Sequence, residues 1–332
     1  MISGTFDVVG ALAPTTFFGN LTGATLSHGY FFTGPAGVGK KTFAARLAQS
    51  LLCVTPKDTL LGYCGHCTGC TRVLAGAHPD LYSAVGQLKI GDREGSGFHE
   101  TEETTARDIV RQLSLHSYAG GKRVFVIGDA DFTREAANAL LKFFEEPPAD
   151  VILIVTSAQP GRILATIRSR LIEVAFPRLS VAEIVGVLQR EGVEPDEALR
   201  AAEIGNGSVT RAKAYLNEED GAARDSAIDW FYAAVGGDAA DASGWATRPT
   251  LEEGLETIKT LTRDWLALVV SGESAPLLAR DQTSALKRLP PRDAQLLVKS
   301  LAAIGEAEKI ARTNVTPMLV ADLVRMALAP GR

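Results

Sequence analysis

Long apolar runs are missing from this 332-residue sequence. No stretch approaches the ~20 consecutive apolar residues that a bilayer-spanning helix needs, so no membrane role is expected. A basic excess is missing as well. Lys and Arg number 34 against 39 Asp and Glu, a formal net charge of −5. An autonomous nucleic-acid binder would normally carry a basic patch or stripe, so any DNA contact should be local or shared with other subunits. The opening residues, Met1-Ile2-Ser3-Gly4-Thr5-Phe6, show no basic region followed by an apolar core. A secretory leader is therefore not expected, and a cytoplasmic location is. Internal repeats and low-complexity tracts are absent. What remains, 46% hydrophobic and 22% charged residues, is an ordinary globular composition, long enough for two or three domains.

What is present begins with Gly34-Pro35-Ala36-Gly37-Val38-Gly39-Lys40-Lys41-Thr42, a phosphate-binding loop pattern with one flaw. The pattern places Ser or Thr directly after Gly-Lys, because that hydroxyl helps hold magnesium between the nucleotide's phosphates. Lys41 stands there instead, and Thr42 comes one residue late. One residue of helix is about 100° of rotation, so on a helix opened by Lys40 the Thr42 hydroxyl points away from the metal seat. Gly34, Pro35, Gly37, Gly39 and Lys40 keep the phosphate cradle, and Lys41 offers a charge where magnesium would sit. Binding of ATP and magnesium is expected to be weak or absent.

A second defect agrees with the first. Val124-Phe125-Val126-Ile127 reads as a buried strand that should end in a metal-holding Asp, followed in many ATPases by a Glu that orients water. The chain continues Gly128-Asp129-Ala130-Asp131. Gly128 has no side chain to offer, and Asp129 can take one of the two roles but not both. Two lesions in two magnesium-contacting motifs argue against efficient hydrolysis.

Cysteine is scarce but clustered. All four, Cys53, Cys64, Cys67 and Cys70, lie within 18 residues, the last three as Cys-x-x-Cys-x-x-Cys. In a reducing compartment this spacing reads as a four-thiolate structural zinc site; a redox-active pair is the rival reading. Gly62, Gly65 and Gly69 are expected to supply tight turns. His66 competes as a ligand, but four thiolates already complete the shell. A closed shell would clip a loop too poor in apolar residues to fold alone.

Short apolar runs at 30–33, 81–85, 124–127, 151–156 and 172–176 alternate with helical patterns at 42–52, 104–115 and 133–145. This predicts an α/β domain, a parallel sheet flanked by helices, with Thr133 capping the third helix and Pro147-Pro148 ending it. Residues 86–103 read as a flexible loop. After Pro177 strand signals vanish: 180–190 and 198–216 read as two or three short lid helices. An all-helical region follows, with elements at 222–235, 251–271 and 293–313, a loop at 236–250, and a last helix over 317–329 capped by Thr316. The expected division is an α/β P-loop domain over 1–177 with a zinc insert at about 53–70, a helical lid over 178–217, and an all-α oligomerisation domain over 218–332.

These features together resemble the bacterial DNA polymerase III clamp-loader family of AAA+ proteins, and within it most closely the delta prime branch. The motifs cover the first ~215 residues, the P-loop pattern among them. They are Phe6-Asp7-Val8-Val9-Gly10, the cysteine module followed by His78-Pro79-Asp80, the run Asn138-Ala139-Leu140-Leu141-Lys142-Phe143-Phe144-Glu145-Glu146-Pro147-Pro148, and Thr166-Ile167-Arg168-Ser169-Arg170. Cysteine clusters are shared with the family's motor subunits and do not discriminate; the altered P-loop and Gly128 favour the non-hydrolysing branch. The resemblance implies a collar-forming subunit that partners gamma/tau motor subunits and delta, meets primer-template DNA within the complex, and acts on the sliding clamp indirectly.

The family's Ser-Arg-Cys motif is similar to Ser169-Arg170-Leu171. The resemblance implies that Arg170 enters a neighbouring subunit's nucleotide site as an arginine finger, stabilising charge on the transferring phosphate. The competing expectation is a surface arginine paired with an acid such as Glu173. Thr156 falls where the family senses the terminal phosphate, and Arg211 where a lid arginine reaches nucleotide; a plain strand end and a solvated helix residue are the alternatives. Leu140, Leu141, Phe143 and Phe144 read as core, and Glu145-Glu146 as a solvated helix end. Two other functions compete. An active gamma/tau-type ATPase requires Lys41 and Asp129 to be tolerated, and a stand-alone zinc and P-loop nucleic-acid binder requires partner-free, salt-sensitive DNA affinity.

Overall fold

The computed structural model describes residues 6, 8–55, 59–88, 105–311, 313 and 315–329. The chain forms two compact units, Met1–Glu183 and Ile184–Arg332.

Five parallel strands build the first unit: β1 (Gly29–Thr33), β2 (Leu81–Leu88), β3 (Arg123–Phe132), β4 (Val151–Ser157) and β5 (Ile172–Ala175), in the order β2-β3-β4-β1-β5. All five fall at the expected apolar runs, but β3 runs on to Phe132, so Gly128 and Asp129 lie within the strand and not beyond its end, on the stretch paired with β2. The inner strands β1 and β4 are buried at every position, as strands covered on both faces must be. Side chains alternate along each strand, so one sheet feeds two cores. Phe31, Phe125, Val155 and Ile127 face one way and pack with Ile109, Leu140 and Phe144, from α4 (Ala106–Leu113) and α5 (Arg134–Glu145). Tyr30, Phe32, Val124 and Ile154 face the other way. They meet Phe18 of α1 (Leu12–Gly19) and Phe43 and Leu47 of α2 (Lys40–Leu52). Aromatics make up only 7% of the chain, yet Phe18, Phe32, Phe43 and Phe176 sit together here with centroids 5.1–5.9 Å apart.

Local signals set the helix starts. Thr133 caps α5 by accepting from the Ala136 N–H, and Thr105 and Asp108 form a reciprocal capping box at α4. A short α3 (Thr68–Leu74) follows the cysteine segment, and α6 (Ala165–Arg168) precedes β5. One expectation is corrected: residues 86–88 are not loop but the end of β2, with Gly86 at φ +83 beside a shift of register against β3. Residues 89–103 of that expected loop lie outside the described residues.

The division between units falls inside α7 (Val181–Arg190). The second unit continues with α8 (Pro195–Gly205), α9 (Val209–Leu216), α10 (Glu218–Gly236), α11 (Leu251–Ser271), α12 (Thr283–Leu286), α13 (Ala294–Ala311) and α14 (Pro317–Leu328). Asn206, left-handed at φ +47, separates α8 from α9. All three tryptophans of the chain lie in this unit's core, Trp230 and Trp245 in edge-to-face contact at 5.1 Å. Pro317 opens α14 after Thr316, whose side chain makes no capping bond. Among the described residues no helix is long and apolar enough to cross a membrane.

Candidate functional site

The P-loop connects β1 to α2 at the carboxyl ends of the strands, where open parallel sheets bind ligands. Gly34, Gly37 and Gly39 have φ of +143°, +73° and +91°, a path that favours glycine at each turn. Gly34 admits no other residue, because a Cβ there would lie 2.1 Å from the carbonyl oxygen of Phe176. Gly39 is the N-cap of α2.

Lys40 and Lys41 open that helix, at the end whose dipole disfavours cations, and no acid lies in its first turn. Each ammonium therefore finds its own acceptors. Buried Lys40 turns back on the loop, donating from Nζ to the carbonyls of Gly34 and Pro35, both at 2.6 Å. Burial lowers its pKa below the usual lysine value, opposed by the nearby Asp129 carboxylate. Lys41 reaches across to β3, its Nζ 2.7 Å from Asp129 Oδ2. Both side chains are about half exposed, 48% and 52%, and such a pair contributes only about 0–1 kcal/mol. Asp129 is left-handed at φ +46, and its backbone N–H donates to Thr156 Oγ1 at 3.0 Å. Thr156 is fully buried on β4, in register with Phe32 of β1. Thr42 is exposed on α2. Gly128 lies against Lys41: a Cβ there would be 3.0 Å from Lys41 Cε. Lys41, Gly128, Asp129 and Thr156 thus form one cluster beside the loop. Arg211, in the second unit, sits at the start of α9, with Nη1 3.6 Å from Glu256 Oε1 of α11.

Arg170 lies at the other end of β1. Its carbonyl oxygen is 4.0 Å from the Cβ position of Gly29, the first residue of the strand whose last residue, Thr33, leads into the P-loop. Four steps of parallel strand separate those ends by about 13 Å. The guanidinium bonds the carboxylate of Glu145 and the carbonyl of Thr166, and the side chain as a whole is 31% exposed. Glu173, the acid suggested by sequence, instead accepts from Thr33 Oγ1 at 2.9 Å and pairs with Arg168 at 3.8 Å. Glu145 was legible only as a solvated helix end. Its signal was physical: two acids at a helix carboxyl terminus oppose the dipole and call for a cation. Leu171, where the family has Cys, is buried against Gly29.

The four cysteine sulfurs lie within 4.8 Å of one another, and none is in a disulfide. Cys53–Cys64 and Cys53–Cys67 are 3.9 Å apart, and Cys64–Cys70 4.0 Å. Four sulfurs about 2.3 Å from a tetrahedral zinc would be about 3.8 Å apart, so the residues fit the ion. Cys53 follows α2 directly and Cys67 caps α3, its sulfur accepting from the Cys70 N–H. Cys64 accepts from Thr55 Oγ1 at 3.2 Å, which with neighbouring N–H groups holds its thiol down at about 5, while burial pushes the Cys70 thiol up to about 12. Gly62 and Gly65 turn at φ +125° and +80°, as expected. Gly69 serves differently: its Cβ would be 2.1 Å from Leu52 O, so it lets α3 close on the end of α2. His66 turns away, its Nδ1 2.8 Å from the Cys64 carbonyl. The following His78-Pro79-Asp80 is structural. Buried Asp80 accepts from the N–H groups of Tyr118 and Ala119 at 2.7 and 2.9 Å.

A five-stranded parallel sheet carrying a P-loop after β1 defines an α/β P-loop protein. The profile of the family described as "DNA polymerase III, delta subunit" matches residues 14–180, and the chain belongs to that family. It is 36% identical over 178 residues to the DNA polymerase III subunit delta' of Pseudomonas aeruginosa, covering 53% of this chain and 51% of that protein. It is 28% identical over 301 residues to the delta' subunit of Bacillus subtilis, covering 87% of each. To the gamma/tau subunit of Mycobacterium tuberculosis it is 29% identical over 217 residues, covering 63% of this chain and 36% of that one. The chain therefore spans about half the length of its Pseudomonas relative and most of the Bacillus one.

Proposed function

We propose that this chain is a delta prime-like, non-motor subunit of the bacterial DNA polymerase III clamp loader, helping to set the sliding clamp on primed DNA. The observation that carries the reading is the Lys41–Asp129 pair beside Gly128, which puts an ammonium and a bare backbone where a working site needs a hydroxyl and a carboxylate. Gly34, Pro35, Gly37, Gly39 and Lys40 form a cradle whose lysine is engaged by its own loop, Thr156 stands for the phosphate-sensing residue, and Arg211 for the lid arginine of a nucleotide site. The chain's own turnover is negligible on this reading.

Its contribution to catalysis is Arg170. The ~13 Å between the ends of β1 argue against action on its own loop and favour a partner's site. A partly exposed guanidinium fork, released from Glu145 and Thr166, suits a phosphate charge developing there. The four thiolates hold a structural zinc, which when bound fixes the ends of α2 and α3. Residues 178–217 act as a lid and 218–332 as the collar that meets gamma/tau and delta subunits. Exposed Leu319, Leu323 and Met326 share one face of α14 at i, i+4, i+7 spacing, which supports a packing role for that helix. Primer-template DNA and the clamp are met within the assembled complex. Reconstitution with motor subunits tests this: Arg170→Ala should lower ATP turnover with assembly intact, and unchanged turnover removes the finger.

A further inference from the structure

Magnesium is the ion a P-loop fold implies, and the residues here do not fit it. Position 41 has no hydroxyl, position 128 has no carboxylate, and the Asp129 carboxylate is already paired with Lys41. We infer that the Lys41 ammonium is this chain's built-in replacement for that ion, joining the P-loop helix to Asp129 within β3 and closing the site to divalent cations. The inference rests on the reading of the loop as degenerate, and turns two apparent lesions into one compensated pair.

Three relationships carry it. First, the added side chain and the missing one share a volume: Lys41 Cε lies 3.0 Å from the Cβ position of Gly128, so the lysine runs through the space a carboxylate at 128 would use. Second, the charge is matched, since Nζ lies 2.7 Å from Asp129 Oδ2, the position a metal-bound water or metal would otherwise compensate. Third, Asp129 has a left-handed conformation, φ +46, which among non-glycine residues Asp and Asn adopt most readily. Lys41 holds its carboxylate and Thr156 its backbone N–H, so three elements, α2, β3 and β4, meet at this one residue. A half-exposed ion pair contributes only about 0–1 kcal/mol to stability. A cation entering here would have to displace an ammonium from the Asp129 carboxylate.

The two positions are reciprocal, so they can be reversed together. Lys41→Thr restores the hydroxyl and vacates the space, and the Cβ of Gly128→Asp then meets ordinary contacts, Val85 Cγ2 at 3.5 Å and Ala84 O at 3.6 Å. The test measures binding of a fluorescent ATP analogue to the full chain, with magnesium and with EDTA. Wild-type affinity should be indifferent to magnesium, whereas Lys41→Thr/Gly128→Asp should bind at least about 10-fold more tightly with it. Circular dichroism and zinc content establish that the variant is folded; should it not be, Lys41→Thr alone must show the magnesium gain. A folded variant as indifferent as wild type overturns the assignment while leaving the degenerate reading intact. Wild-type binding that magnesium strengthens about 10-fold overturns both.

Discussion

The guanidinium of Arg170 donates to the carboxylate of Glu145, tying the loop after α6 to the end of α5. The Glu-Glu-Pro-Pro run and the Ser-Arg pair, 25 residues apart, are thus one structural unit. A finger works only if its fork is aimed, and small misplacements are expensive in rate. In reconstituted complexes, Glu145→Gln should reduce ATP turnover about 3- to 10-fold, against about 100-fold or more for Arg170→Ala. Wild-type turnover from Glu145→Gln would show that the pair has no positioning role.

The cysteine cluster should carry one zinc per chain on freshly reduced protein. Cys64→Ser removes a buried ligand and should lose the metal, lowering the melting temperature by on the order of 10 °C. Metal analysis and thermal melting check both. Metal content well below one equivalent in the wild type would count against a four-thiolate site.

Two P-loop glycines should respond differently to alanine. Gly34→Ala drives a Cβ to 2.1 Å from the Phe176 carbonyl oxygen, while at Gly39 the nearest atom, Val8 Cγ1, is a comfortable 3.5 Å away. Gly39→Ala meets only the left-handed backbone penalty, about 1–2 kcal/mol. Gly34→Ala must move backbone and should cost at least about 3 kcal/mol, close to the largest single-site effects. Denaturant titration separates the two, and equal losses would contradict the contact geometry.

Acid sensitivity should centre on Asp150. Fully buried Arg123 donates to it from Nε at 2.6 Å and Nη2 at 3.1 Å, and from Nη1 to the carbonyls of Gln112 and Leu113 at the end of α4. The hydrogen bonds from Arg123 hold the Asp150 carboxyl below its ordinary range, outweighing partial burial. A depressed folded-state pKa adds stability above the unfolded value, about 3.9, and that stability is lost as pH falls through the folded pKa. The melting-temperature deficit of Asp150→Asn should therefore be full at neutral pH and shrink progressively in acid. A deficit independent of pH would mean that shape, not charge, links the two residues.

Much of this was legible in sequence. Continuous apolar runs such as Val-Ile-Leu-Ile-Val read as inner strands because burial on both faces removes alternation, and Thr133 read as a cap because its hydroxyl precedes a helical period. The cysteine cluster was legible because its spacing is local. What sequence could not supply was pairing across the chain. Arg170 finds Glu145 rather than Glu173 because the strand neighbour Thr33 and Arg168 already occupy Glu173. The extension of β2 through Leu88 was hidden by Gly86, a residue that reads as loop but here marks an irregularity in the ladder. Gly69 read as a turn and proved to be a close helix contact, a distinction that depends on what packs against it.

An ammonium occupying the metal seat leaves the chain without its own hydrolysis, and ATP turnover by the purified chain alone, free of motor subunits, at saturating magnesium tests this most directly. Release of phosphate at the no-enzyme rate is the predicted result. Sustained turnover at ordinary ATPase rates, roughly 1 per second or faster, would contradict it.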